Sequence, residues 1–301
     1  MKQHPNVLSF EIYNEENAPL WWDGSPKDYN EVLSYGSSAI RAAAGDDQVL
    51  FGGMTYPDLE WVEAVCLTYD NGKSFDILPF HAYPETWTDP DTAVENYLHQ
   101  GFTDDFIPET DAWCGKKPIW INELGFSTPP EKKTGRDQAN WWVRAMATFL
   151  AHPRVEHLGI YEIKEPKRST EVIGEKENYY LEHHLSRQKE KAGVPHHKEA
   201  HQPSRYGGDT VADGDVAVEV IEGERGKLYH HLFIRPDDSQ VLFLWDKSGS
   251  PTVQVRLPRR GTRVIEYALD GTGSPYRAFD GTTLYNVALT AGEVRIFEIK
   301  P

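Results

Sequence analysis

Residues 9–17 read SFEIYNEEN, and residues 118–128 read PIWINELGFST. Each is a short apolar run that closes on Asn-Glu, at Asn14-Glu15 and again at Asn122-Glu123. Short apolar runs bounded by polar residues are the pattern of strands buried on both faces, the kind that parallel sheets use. In arrays of such strands the chemistry sits at the carboxyl ends, where the connection to the next helix begins. Both glutamates fall there. The two endings therefore predict an α/β array that brings two carboxyl groups, distant in sequence, to one place.

The rest of the first two-thirds fits this pattern. Apolar runs at 49–52, 75–80 and 157–163 join 7–13 and 118–122 as predicted strands. Helical patterns alternate with them at 29–44, 59–67, 92–113 and 137–151, and a last one covers 179–192. The clearest is DQANWWVRAMATFLAH, whose apolar residues recur at helical spacing. Alternation at this interval predicts five consecutive βα units and a parallel sheet. The composition then changes. GVPHHKEAHQPSRYGGDT is rich in Gly, Pro, His and charge, and after it come LYHHLFI, QVLFLW, TVQVRL, RVIEYAL and EVRIFEI, separated by turn signals such as SGSP and LDGTG. The expected organisation is an α/β domain over 1–195, a linker over 196–209 and a small antiparallel β-sandwich over 210–301.

Composition narrows the function classes. A net charge of −16 argues against nucleic acid or an anionic membrane as partner, since phosphate groups are bound by basic surfaces. No apolar run is long enough for a transmembrane helix, and MKQHPNVLSF lacks the apolar stretch of a secretory signal. The expected location is the cytoplasm, or outside the cell if an export signal lies beyond this sequence. Two cysteines, Cys66 and Cys114, are expected as buried free thiols. The 12 histidines show no His-Glu-x-x-His pattern and the cysteines no Cys-x-x-Cys pattern, so no metal site is expected.

Two carboxyls converging from different strands suit glycoside hydrolysis with retention, in which one is a general acid and the other a nucleophile about 5–5.5 Å away. A solvated loop residue is the ordinary explanation for either glutamate alone. Between them the strand at 75–80 runs into HAYPE and places His81 and Tyr83 at the same end of the sheet. There they can hydrogen-bond a carboxylate or a sugar hydroxyl; a strand-end histidine and a packing tyrosine are the plainer alternative.

EIYNEEN resembles the fourth-strand motif of the retaining glycoside hydrolases built on TIM barrels, usually written with Asn-Glu-Pro. VLFGGMTYPD is similar to their fifth strand, FHAYPE to the sixth, PIWINELGFST to the seventh and HLGIYEIKEP to the eighth, in the manner of family 39, family 5 and their relatives. The resemblance covers roughly residues 5 to 195. It implies Glu15 as acid/base, Glu123 as nucleophile, Asn14 as the ligand of the sugar 2-hydroxyl, and His81 and Tyr83 as supports, with no cofactor. It also implies β-linked sugars as substrates. Glu16 stands where the family usually has proline, and Ile160 and Tyr161 stand where a tryptophan often floors the sugar site. Tyr161, Trp21, Trp22 or Trp87 then become candidates for that platform. Strands one to three of the family have no counterpart here, so the expected fold is an incomplete (β/α) barrel of about five units. Its open side is expected to be covered in a homo-oligomer, because unpaired parallel edges invite association. The alternative function is a carbohydrate-binding pseudo-enzyme, in which loss of the first strands has ended catalysis.

Overall fold

Five strands run parallel between residues 9 and 160: β1 (Ser9–Glu11), β2 (Gln48–Leu50), β3 (Leu78–Ala82), β4 (Ile119–Leu124) and β5 (Val155–Ile160). Their spatial order follows the sequence. β1 pairs with β2, β3–β4–β5 form a second ladder, and the bridges Leu50–Ile77 and Met54–Phe80 join the two. The computed structural model describes residues 7–45, 47–86, 92–98, 101–126, 133–161 and 216–301. By internal contacts the described residues of 1–127 and 152–182 form one unit, and those of 128–151 and 183–301 another.

In the first unit, helix α1 (Pro26–Ala44) follows β1. Ser25 caps it: the Asp28 amide donates to Ser25 Oγ at 3.4 Å while the Asp28 carboxylate accepts from the Ser25 amide at 2.7 Å, and Pro26 opens the first turn. Tyr29 and Leu33, one turn apart, are fully buried against the sheet. The Tyr29 hydroxyl accepts from the Gly52 amide at 2.6 Å and donates to the Ile12 carbonyl at 3.2 Å, tying α1 to the ends of β1 and β2. Phe51 lies edge-on to both Tyr29 and Phe75 at 5.0 Å, and Phe80 packs on Phe102 at 5.5 Å. This aromatic layer is the core of the unit. Helix α2 (Leu59–Glu63) passes directly into a π-helical turn, Ala64–Thr68.

Two expectations are corrected here. The helix expected over 92–113 is broken: its described residues form a 3₁₀ turn Val94–Asn96, a π-helical turn Gly101–Phe106 and helix α3 (Ile107–Cys114). The π-helical turn passes straight into α3, with Pro108 in the first α-helical turn, where proline is tolerated. The cysteines are not free thiols. Cys66 and Cys114 form a disulfide with 5.2 Å between their Cα atoms, because the π-helical turn and the end of α3 pack together although 48 positions separate them. Sequence spacing carries no trace of that packing. The helix expected over 179–192 and the linker over 196–209 lie outside the described residues.

In the second unit, helix α4 (Gly135–Ala151) accompanies eight antiparallel strands: β6 (Ala217–Glu222), β7 (Leu228–Ile234), β8 (Gln240–Asp246), β9 (Thr252–Arg256), β10 (Arg263–Tyr267), β11 (Gly273–Tyr276), β12 (Thr283–Ala288) and β13 (Arg295–Lys300). They form sheets of order β11–β10–β13–β8–β7 and β12–β9–β6 around one apolar core that includes Leu242, Leu244, Val253, Val255, Leu284 and Phe297. α4 packs on the outer face of the larger sheet: Ala147 and Val143 meet the buried Trp245 and Val294, and Asn140 Oδ1 accepts from the Val294 amide at 2.9 Å. Trp245 is core, stacked on Tyr229 at 5.6 Å.

Candidate active site

The carboxyl ends of β1, β3 and β4 meet around one imidazole. Beyond β1 the chain turns sharply, with Tyr13 (φ 79°) and Glu15 (φ 55°) in the left-handed region that side-chain-bearing residues rarely occupy. The turn is held by a bridge between Asn14 and Gly53 and by the Glu15 amide donating to the Gly53 carbonyl at 2.9 Å. Asn17 fastens its far side, accepting from the Thr55 amide at 2.9 Å and donating to Asp58 at 3.0 Å. A strained backbone anchored from both ends fixes the Glu15 side chain in space.

On β4 a β-bulge does the corresponding work. The register with β3 shifts between Phe80–Ile121 and His81–Glu123, so Asn122 is the extra residue. In a regular strand neighbours point to opposite faces; the bulge lets Asn122 and Glu123 both reach the site. His81, 1% exposed, lies between the two glutamates: its Nδ1 is 2.7 Å from Glu15 Oε1 and 3.0 Å from Glu123 Oε2. With the proton assigned to Nδ1, the imidazole donates toward both carboxyls, one oxygen of each accepting. The Tyr83 hydroxyl donates to Glu123 Oε1. The facing atoms of Glu15, His81 and Glu123 all lie within 4.8 Å of one another. Without the Nδ1 proton, the same nitrogen and the two carboxylates would form a donor set for a divalent cation.

Two acidic residues that the strand-end pattern does not single out complete the cluster. Glu11 accepts from the Gly53 amide at 2.7 Å and from Asn122 Nδ2 at 2.8 Å. Desolvation around its carboxyl outweighs these bonds and raises its pKa, although the residue as a whole faces solvent. The sequence carries a signal for it: Glu11 is a charge inside an apolar run, four positions before Glu15. Glu16 is 1% exposed, and neither carboxylate oxygen has a hydrogen-bond partner. Burial, reinforced by the carboxylates of Glu11, Asp58 and Glu15, pushes its pKa up to about 8. Gly52 and Gly53 make room for this crowding. A Cβ on Gly53 would stand 2.5 Å from His81 Nε2 and 2.6 Å from Glu11 Oε1, and one on Gly52 would stand 1.9 Å from Glu16 Oε2.

The expected aromatic platforms divide. Trp21 is exposed and lines an open pocket of about 500 Å³ with Glu11, Tyr13 and Asn14. Trp22 instead packs edge-on against Tyr13 at 4.8 Å and Tyr29 at 6.3 Å. Tyr161 meets Tyr83 edge-on at 6.5 Å. Trp87 lies outside the described residues.

No family model and no curated protein matches the chain at the level of sequence. Solved structures do match in fold. The GH51 arabinofuranosidase from Xanthomonas axonopodis pv. citri aligns over 98% of this chain and 66% of its own, at 14% identity and TM-score 0.58. The α-L-arabinofuranosidase from Thermotoga maritima aligns over 98% and 67%, at 11% identity and TM-score 0.60. A GH30 endoxylanase from Clostridium papyrosolvens C71 aligns over 100% and 67%, at 13% identity and TM-score 0.54. The chain spans about two thirds of the length of these proteins. It shares with them a mixed α/β fold in which a parallel-stranded unit accompanies an antiparallel β unit.

Proposed function

We propose that this chain is a retaining glycoside hydrolase acting on β-linked sugars, with Glu15 as acid/base and Glu123 as nucleophile. The observation that carries the reading is that one carboxylate oxygen of each glutamate comes within 4.8 Å of the other around His81. Retention requires carboxyls about 5–5.5 Å apart, whereas inversion needs about 6.5–9.5 Å to admit a water. Likeness in fold to arabinofuranosidases and a xylanase supports glycoside chemistry at the general level.

In the first step Glu15 gives its proton to the glycosidic oxygen as Glu123 attacks the anomeric carbon. The aglycone leaves as an alcohol and a glycosyl ester forms on Glu123. Water then attacks the same carbon, Glu15 takes its proton, and the ester bond breaks. Tyr83 and His81 hold Glu123 in the attacking rotamer, and His81 links it to Glu15. Asn14 is assigned to the sugar 2-hydroxyl and Trp21 to the wall of the open pocket, with Trp22, Trp87 and Tyr161 as further platform candidates.

The five strands are read as units four to eight of an eight-unit barrel. Among the described residues β1 then has a partner on one side only, beside the exposed Val7 and Leu8, and a second copy of the chain would cover the other side. A folded, active monomer by sedimentation would remove that part of the proposal. The Cys66–Cys114 disulfide favours an exported protein over a cytoplasmic one. No helix among the described residues is long and apolar enough to cross a membrane. The test of the function is nitrophenol release from a panel of aryl glycosides by the intact protein beside Glu123→Gln. Turnover of one sugar that vanishes in the variant establishes the reading. Glycan binding without turnover by either protein would make the chain a binding pseudo-enzyme.

A further inference from the structure

We propose that Glu11 is a positioning residue whose carboxylate forms a chord across the concave face of the sheet, holding the strand that delivers Glu15 against the strand that delivers Glu123. This rests on the reading of those two glutamates as a working pair. β1 and β4 are not neighbours; β2 and β3 lie between them. Neighbouring strands are about 4.8 Å apart, so a flat sheet would separate β1 from β4 by roughly 14 Å. A glutamate and an asparagine side chain cannot span that distance. Their hydrogen bond at 2.8 Å therefore requires the sheet to curl, and it bonds the two sides of the curl directly.

The other Glu11 oxygen accepts from the Gly53 amide at 2.7 Å, and the same Gly53 receives Glu15 through its carbonyl. One carboxylate thus touches the backbone that fixes Glu15 and the residue adjoining Glu123. His81 crosses the same gap at the level of the glutamates, with its Nδ1–H shared between them. That sharing is possible only while β1 and β4 stay at their present separation. Five described strands do not close on themselves, so the curl depends on such cross-links.

The donor and acceptor pattern supplies a discriminating test. Glu11→Gln alone is uninformative, because turning the Asn122 amide over would restore a bond. Asn122→Asp sets two carboxylates against each other, and Glu11→Met removes both acceptors. The double variant Glu11→Gln/Asn122→Asp reverses the donor and the acceptor and keeps the wild-type charge. Its amide nitrogen at position 11 donates to the new carboxylate at position 122, while the amide oxygen still accepts from Gly53. The two readouts are kcat with KM on the best glycoside and the low-field proton resonance of His81 Nδ1–H, with thermal melting to show that each variant is folded. Expected are a sharp resonance in the wild type, its loss in Asn122→Asp and Glu11→Met with kcat down about 100-fold at little change in KM, and recovery of both in the double variant. A structural defect at either position alone would not be repaired by the second substitution. The proposal is overturned if the wild type lacks the resonance, if the single variants keep it, or if the double variant is unfolded or no better than Asn122→Asp. Should no glycoside be turned over at all, the glycosidase reading fails, and the resonance alone decides the role of Glu11 by the same criteria.

Discussion

Glu16 offers the sharpest prediction about stability. A carboxyl that is 1% exposed, with neither oxygen hydrogen-bonded, resists ionisation until about pH 8, against an ordinary value of 4.5. In the unfolded chain it ionises at the ordinary value. The folded state therefore binds the extra proton between these limits, and stability falls as pH rises through that window and levels off above about 8. Between pH 5 and pH 8 the loss integrates to about 3.5 kcal/mol. Glu16→Gln keeps the shape and removes the titration. Thermal melts of both proteins at half-unit steps of pH should diverge steadily, the wild type losing roughly 7–14 °C relative to the variant across the window. Below about pH 3.5, where the carboxyl is protonated in both states, the two should differ by a constant set by the buried amide. Parallel curves from pH 5 to pH 8 would refute the reasoning and show that Glu16 is solvated.

The disulfide closes a loop of 48 positions, so adding reductant, or replacing both Cys66 and Cys114 by serine, should cost about 4 kcal/mol in denaturant unfolding; an unchanged midpoint would place no cross-link there. Tyr83→Phe removes one hydrogen bond to the Glu123 carboxylate, so kcat/KM should fall roughly 10- to 150-fold with the melting temperature little changed. Equal activity in that variant would free Tyr83 from the site. Asn140→Ala leaves the Val294 amide buried without an acceptor and should lower stability by about 1–3 kcal/mol in the same unfolding assay.

The features legible in the sequence are those written locally. An apolar run followed by Asn-Glu states a strand end and a carboxylate in nine letters, so Glu15, Glu123, His81 and Tyr83 are found at one place from strand ends alone. The helix in DQANWWVRAMATFLAH is equally local, because its period is its own. What the sequence conceals depends on a partner. The bulge at Asn122 exists only relative to the register of β3, and without it Asn122 and Glu123 would face opposite sides. The disulfide depends on a π-helical turn meeting the end of α3, and α4 finds its partners in β-strands some hundred positions later. Glu11 is visible as a misplaced charge, yet its reach to β4 follows from the curl of the sheet, which no single strand encodes. The Gly52-Gly53 pair reads as a loop, while its actual service is to let Glu16 and His81 press against bare backbone.

Glu15 and Glu123 are proposed to act as a closely spaced pair on one sugar bond. This pairing is tested most directly by following the first product of glycoside cleavage by proton NMR before it mutarotates. The spacing within 4.8 Å predicts a product of the same anomeric configuration as the substrate. A product of inverted configuration would contradict it, since water would then have attacked directly and Glu123 could not be the nucleophile.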